Sequence, residues 1–159
     1  MYWTIGVAAF AALAVCAVGG VLTEIGPWYR GLRKPSWQPP DWLFGPAWTL
    51  ILGMAAAAGV LAWNGAPTEA ARACVVSMFA VNAVFHILWS PLFFKWKRPD
   101  WALAEVGFLW LSILALVIGL APYSALASWL VAPYLAWVTF AAWLNYTIVR
   151  LNRPFGVAA

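Results

Sequence analysis

Charge is what this sequence has least of. Only 9% of its 159 residues are Asp, Glu, Lys or Arg, against about 25% in a typical soluble domain. With 65% hydrophobic residues and a mean hydropathy of +0.84, that shortage excludes an ordinary water-soluble domain. It indicates an integral membrane protein, short enough to be one domain over residues 1–159. Cysteine is scarce too. Cys16 and Cys74 both fall in apolar segments, form no C-x-x-C pair and read as two buried thiols. There is one histidine, so no Cys/His cluster exists to ligate a metal, and no metal site is expected. No nucleophile–base–acid set, paired carboxylates in a span, phosphate loop or redox-cofactor fingerprint is present. The expectation is therefore no acid–base catalytic residues and no obligatory cofactor. The N-terminus MYWTIGVAAF lacks a basic flank, so no cleaved signal peptide is expected. LAVC at 13–16 is only superficially a lipoprotein box, because Val15 replaces the small residue such a box needs. The net charge of +4 follows from topology and calls for no nucleic-acid partner.

What the chain does have is long apolar runs. A span needs about 20 mainly apolar residues, and five segments qualify: 3–22, 42–63, 73–94, 101–121 and 128–149. Trp3, Trp42, Trp63, Trp101 and Trp129 mark their ends as an interfacial aromatic belt. The expected fold is an all-α bundle of five transmembrane helices. Five spans put eight basic residues on one face, Arg30, Arg33, Lys34, Lys95, Lys97, Arg98, Arg150 and Arg153, and leave only Arg72 on the other. By the positive-inside rule the N-terminus is outside and the C-terminus cytoplasmic. A helical bundle without an evident targeting segment suits a bacterial inner membrane. GAPTEAA (65–71) and LAPYSA (120–125) read as short turns.

The stretch WYRGLRKPSWQPPDWLFGPAW, residues 28–48, interrupts this pattern. It holds Trp28, Trp37, Trp42 and Trp48 with four prolines and three basic residues. Pro35, Pro39 and Pro40 remove backbone donors and push Lys34 and Gln38 towards extended conformations. The segment cannot be a regular helix, yet it is too aromatic for a loose linker. It reads as an ordered cap folded over the cytoplasmic end of the bundle.

Polar and aromatic residues recur at helical spacing beneath it. Asn82, His86 and Ser90 share one face of the third segment, with Trp89 beside them. Two readings stand: bonds to neighbouring helices, or a ligand cavity. Tyr134, Trp137, Ala141 and Asn145 form a second stripe, in which small Ala141 serves either a ligand or close packing. With Trp48 these groups converge in the cytoplasmic half under the cap, which describes a small-molecule pocket suited to a flat conjugated ligand. His86 is a possible iron ligand but more commonly such a residue is a hydrogen-bonded structural one. Glu105 lies near the start of the fourth segment, where an acid offsets the helix dipole. A small-drug exporter would need an embedded acid, and Glu105 is the one available. Leu144, Tyr146 and Arg150 fit the loose cholesterol pattern L/V-x₁₋₅-Y-x₁₋₅-K/R, which interfacial Tyr and snorkelling Arg also satisfy. Small residues at Ala12, Cys16, Gly19, Gly20, Ala73 and Ser77 suit helix packing within or between subunits.

Taken together, WYRGLRKPSWQPPDW running into FGPAWTLILG, then ILWSPLFF, WALAE and PYLAWVTFAAWLNYTIVRLN, resemble the translocator proteins of the TspO/MBR family, also called tryptophan-rich sensory proteins or peripheral benzodiazepine receptors. The resemblance covers nearly the whole chain. It implies a five-helix bundle, commonly a homodimer, that binds protoporphyrin IX and haem, synthetic isoquinoline carboxamide and benzodiazepine ligands and, in mitochondrial members, cholesterol. It implies roles in sensing, regulating or transporting tetrapyrroles, with porphyrin as a ligand and not as a cofactor. Light-dependent porphyrin breakdown is the catalytic alternative, with Trp48 and Trp137 as redox partners. Carried over by motif, the ligand-binding residues are Tyr29, Pro39, Trp48, His86, Trp89, Ser90, Trp137 and Ala141, while Leu144, Tyr146 and Arg150 fall on the cholesterol segment. Position 86 departs from the motif, where Asn is usual.

Overall fold

A computed structural model of the chain describes residues 2–156; the outermost ends of the expected 1–159 domain lie outside them. The path is helical, with α1 Tyr2–Leu22, α2 Pro27–Gly31, α3 Asp41–Gly65, α4 Glu69–Ser90, a π-helical turn Pro91–Lys95, α5 Pro99–Leu120 and α6 Ala125–Asn152. Five of these helices are long and apolar enough to cross a membrane, as the apolar runs predict.

Local chemistry sets the ends, and it moves several from where hydropathy alone places them. The third span begins at Glu69 and not at 73. Thr68 accepts the Ala71 N–H at 3.1 Å as its N-cap, and Glu69 sits favourably in the first turn. Most of GAPTEAA is therefore helix. In the same way Ser124 caps α6 through the Ala127 N–H at 3.2 Å, which starts that helix at Ala125 and not at 128. Pro99, at the start of α5, brings that helix forward from 101. At Pro91 the missing N–H ends the regular α-ladder. The chain widens so that Trp96 N–H donates to Pro91 C=O at 2.9 Å, and the left-handed Lys97 (φ 55°) turns it out. The cap is not wholly irregular either: Pro27 opens the five-residue helix α2 before the proline-rich turn takes over.

The spans form a ring in the order α1, α3, α6, α5, α4. α5 packs most extensively on α6, whereas α1 meets α3 well and α4 only sparsely. The main core joins α3, α4, α5 and α6 through Ile51, Val75, Leu109, Ile113, Leu116 and Tyr134. A second cluster at the cap end joins Tyr29, Leu92, Phe93, Phe94, Leu144 and Ile148. Both cysteines are free thiols, but they are not buried in protein: Cys16 is half-buried and Cys74 exposed. An apolar segment reports burial in lipid, not which face meets its neighbours. Glu105 also departs from expectation. α5 starts at Pro99, so Glu105 lies in its second turn; its side chain is 6% exposed, and among the described residues neither carboxyl oxygen has a partner.

Candidate functional site

The site is built from a cap, an aromatic cage and a polar seam. Polar and aromatic contacts hold the cap. Tyr29 Oη donates to Asp41 Oδ1 at 2.9 Å, and Gln38 Nε2 donates to Tyr29 Oη at 3.1 Å. These bonds close the proline-rich turn onto the first turn of α3. Lys34 Nζ lies 4.0 Å over the Tyr29 ring, a cation–π contact. From the far end of the chain, the Asn152 side-chain amide clasps the cap backbone: it accepts the Arg33 N–H at 2.7 Å and donates to Arg33 C=O at 2.8 Å. Trp37 meets Phe140 of α6 edge-on with centroids 5.9 Å apart. Burial pushes the Tyr29 phenol up to about 12, with the hydrogen bond and charge of Asp41 adding to the shift. It therefore stays a donor throughout the physiological range.

Beneath the cap the rings of Trp48, His86, Tyr134 and Trp137 meet at right angles. Trp48 stands edge-on to His86 (4.7 Å between centroids), to Tyr134 (6.0 Å) and to Trp137 (6.3 Å). Phe44 and Phe140 flank Trp137 at 5.8 and 5.6 Å. Edge-to-face contacts of this kind are favourable for aromatic quadrupoles, so the cage is ordered by its own members. Trp89 lies one layer nearer the cap, stacked on Phe93 at 5.0 Å, and Phe93 and Phe94 in turn contact Tyr29.

The polar stripe of α4 is bonded to neighbouring helices, as one of the two readings of its spacing holds. His86 Nδ1 pairs with Tyr134 Oη at 2.8 Å, and Asn82 Nδ2 donates to Ser112 Oγ at 3.0 Å. Three buried side-chain atoms around the cage have no partner among the described residues: Trp89 Nε1, Trp137 Nε1 and Gln38 Oε1. Unmet buried donors and acceptors are costly and uncommon in folded proteins. Two indole N–H groups and one amide oxygen are thus left to offer hydrogen bonds.

The structure thus brings Trp48, His86 and Trp137 into one cage, while Tyr29 and Trp89 belong to a second ring cluster through Phe93 and Phe94 nearer the cap. Ser90 is buried on the same α4 face, while Pro39 and Ala141 are half-buried. Leu144, Tyr146 and Arg150 do not share a face. Leu144 packs inward in the cap-end cluster, while Tyr146 and Arg150 point outwards, with Arg150 Cζ 5.8 Å from the Tyr146 ring. Sequence reasoning missed Gln38, Asp41 and Asn152 as cap holders, and Tyr134 as the partner of His86. Tyr134 was visible on the α6 stripe, but the Asn152 clasp spans 119 residues and leaves no local signal. No group of three or more His, Cys, Asp or Glu suited to a metal occurs among the described residues.

Comparison with known proteins places these features in a wider setting. The profile of the TspO/MBR family matches residues 7–151. The chain is similar to the tryptophan-rich protein TspO of Chlorobaculum tepidum, 40% identical over 144 residues, 88% of this chain and 90% of the relative. It is similar to the tryptophan-rich sensory protein of Cereibacter sphaeroides, 35% identical over 156 residues, 97% and 96% of the two chains. Similarity extends to the human translocator protein, 34% identical over 127 residues, 79% of this chain and 75% of that one.

Proposed function

The chain belongs to the TspO/MBR family, and we propose that it binds porphyrins, protoporphyrin IX or haem, beneath its cap and serves as a membrane sensor or carrier of tetrapyrroles. The observation that carries this reading is the Trp48–His86–Tyr134–Trp137 cage under a clasped cap, with orphaned indole N–H groups at its edge. A macrocycle needs flat aromatic faces and its propionates need donors. Trp48 and Trp137 supply the first, and the N–H groups of Trp89 and Trp137 the second. His86 pairs through Nδ1 with Tyr134, which leaves Nε2 as the nitrogen for a ligand group or a haem iron. Pro39, Ser90 and Ala141 complete the site as shape-defining residues.

The same reading includes synthetic isoquinoline carboxamide or benzodiazepine-type ligands in this site, sterol or lipid along the outer face of α6 near Tyr146 and Arg150, and a homodimer. Eight basic residues gathered at the cap end support placement in a bacterial inner membrane with that end cytoplasmic.

The test is a protoporphyrin IX titration in the dark, following tryptophan quenching and the Soret band. Saturable binding is expected, weakened by about tenfold or more in Trp48→Ala and in Trp137→Ala, from lost ring contact and burial. Folded variants that bind as tightly as the unaltered chain would sink the assignment. The same samples under illumination test the catalytic alternative, which the close Trp48–Trp137 pair favours: repeated porphyrin loss with intact protein indicates an enzyme, and loss matched by destroyed tryptophan does not.

A further inference from the structure

One bond in the cage decides what His86 can offer a ligand. Tyr134 on α6 has no exposure, so its hydroxyl proton needs an acceptor inside the bundle. Three polar side chains come into question. The Asn82 amide meets the phenol, but as a donor. Its orientation is set from the other side: Ser112 gives its own proton to Leu109 C=O at 2.7 Å and so accepts from Asn82 Nδ2 at 3.0 Å. The buried Glu105 carboxyl on α5 has no partner at either oxygen among the described residues, so it does not take the proton. That leaves His86 Nδ1, 2.8 Å from Tyr134 Oη.

A neutral imidazole carries one N–H and one bare nitrogen. With Nδ1 accepting, the proton sits on Nε2. Nε2 has no hydrogen-bond partner among the described residues, and the ring borders a cleft of about 360 Å³ between α1, α3 and α4, so there is space beside it. Trp48 packs edge-on against the ring, with centroids 4.7 Å apart, and resists the flip that would exchange the two nitrogens. An imidazole that binds iron has the opposite arrangement: its metal-free nitrogen keeps the proton and donates it to an acceptor. Here that nitrogen is already engaged by a donor.

We propose that Tyr134 is a positioning residue: by donating to Nδ1 it fixes His86 as the Nε2–H tautomer, so that the site holds a porphyrin through a hydrogen-bond acceptor and does not ligate haem iron. The inference rests on the porphyrin reading above and narrows it. Of the two uses open to Nε2, a ligand group or a metal, it selects the ligand group. The matching chemistry is a propionate oxygen or a bare ring nitrogen of a metal-free tetrapyrrole, either of which accepts an N–H.

His86 is the one histidine of the chain, so labelling histidine with the heavy nitrogen isotope gives a single pair of ring signals by NMR. The full chain in lipid bilayers, without porphyrin, should show Nδ1 bare and Nε2 protonated at neutral pH. Tyr134→Phe should lose that preference and populate both tautomers. A proton on Nδ1, protons on both nitrogens, or a tautomer unchanged in Tyr134→Phe would overturn the proposal. This measurement needs no ligand, so its result stands apart from the porphyrin assignment. A second arm titrates protoporphyrin IX and haem. The metal-free ring should bind about fivefold more weakly to Tyr134→Phe, the scale of one hydrogen bond. His86→Asn keeps an N–H donor without an iron-binding nitrogen, and it should bind the metal-free ring within about threefold of the unaltered chain. Haem bound to the unaltered chain should lack the absorption and resonance Raman signature of an iron–histidine bond, and finding that signature would also overturn the proposal. If Tyr134→Phe does not fold, the tautomer and the haem spectrum of the unaltered chain decide alone.

Discussion

The α5–α6 half and the α1 edge of this bundle are both apolar helix, yet they behave as different materials. α5 buries a continuous stripe, from Ala102 through Leu109 and Ile113 to Leu120, against its neighbours. α1 is the more hydrophobic of the two by mean hydropathy, but among its described side chains only Thr4 is buried. In a membrane, hydrophobicity does not drive helices together, because lipid is as apolar as leucine. What separates the halves is shape and hydrogen bonding. α5 and α6 are tied by Trp110 Nε1 to Thr139 Oγ1 at 2.8 Å and by Ser128 Oγ to the Val117 carbonyl at 2.5 Å. The amide of Asn145, its NH₂ towards Pro99 C=O and its oxygen towards the Leu103 N–H, both 3.1 Å away, adds a further tie at the start of α5. By contrast, α1 and α4 meet only sparsely. One half is a scaffold that holds the cage; the other leaves a lateral opening beside it.

The largest expected effect tests that contrast directly. Leu116→Ala, at a position with no exposure, should destabilise the protein by about 2–3 kcal/mol, the packing and cavity part of a core truncation when lipid is the reference. Leu13→Ala, at a position 67% exposed on α1, should change stability by less than about 0.5 kcal/mol. Thermal unfolding of the two variants in the same detergent checks this, and equal losses would abolish the distinction between the halves.

A smaller effect concerns how the scaffold half holds the cap. Asn152→Ala removes both bonds to Arg33, worth about 1–2 kcal/mol together for partly exposed groups. Protoporphyrin IX should then dissociate about tenfold faster, with the unfolding temperature lowered by only about 2–8 °C. An unchanged dissociation rate would show that the clasp does not govern access.

The smallest effect is a pH dependence. The fold holds the Tyr29 phenol neutral up to about 12 instead of its ordinary 10. Its contribution is therefore complete below pH 10 and is lost as pH rises from 10 to 12, because the open form gives up the proton first. Through Tyr29, porphyrin affinity should not vary with pH between 6 and 9 and should weaken above 10. In Tyr29→Phe the alkaline decline should vanish, while affinity at neutral pH falls a few-fold through the lost bond to Asp41. An alkaline decline that persists in the phenylalanine variant assigns it to another group.

Much of the site was legible before the fold was known, because its parts are local patterns. The i, i+4, i+8 spacing put Asn82, His86 and Ser90 on one face, and the prolines of 35–40 marked a cap. What spacing left open was which groups they meet. His86 finds Tyr134, 48 residues away, and Arg33 finds Asn152, 119 residues away; neither pairing has a periodic signature. Glu105 shows the same limit: its place near the start of α5 suggested an acid offsetting the helix dipole, and only the packing of the bundle shows that its side chain is buried.

The sequence by itself determined that this protein spans a membrane five times, gathers its basic residues at one end and closes that end with a tryptophan- and proline-rich cap. Those features follow from composition, run length and backbone chemistry, which act residue by residue. Only the tertiary structure decided which apolar faces meet protein and which meet lipid, where α1 fails to close on α4, and which buried N–H groups remain unmet. In a bilayer both environments are equally apolar, so hydropathy cannot tell them apart, and complementarity of shape and hydrogen bonding between distant helices makes the choice.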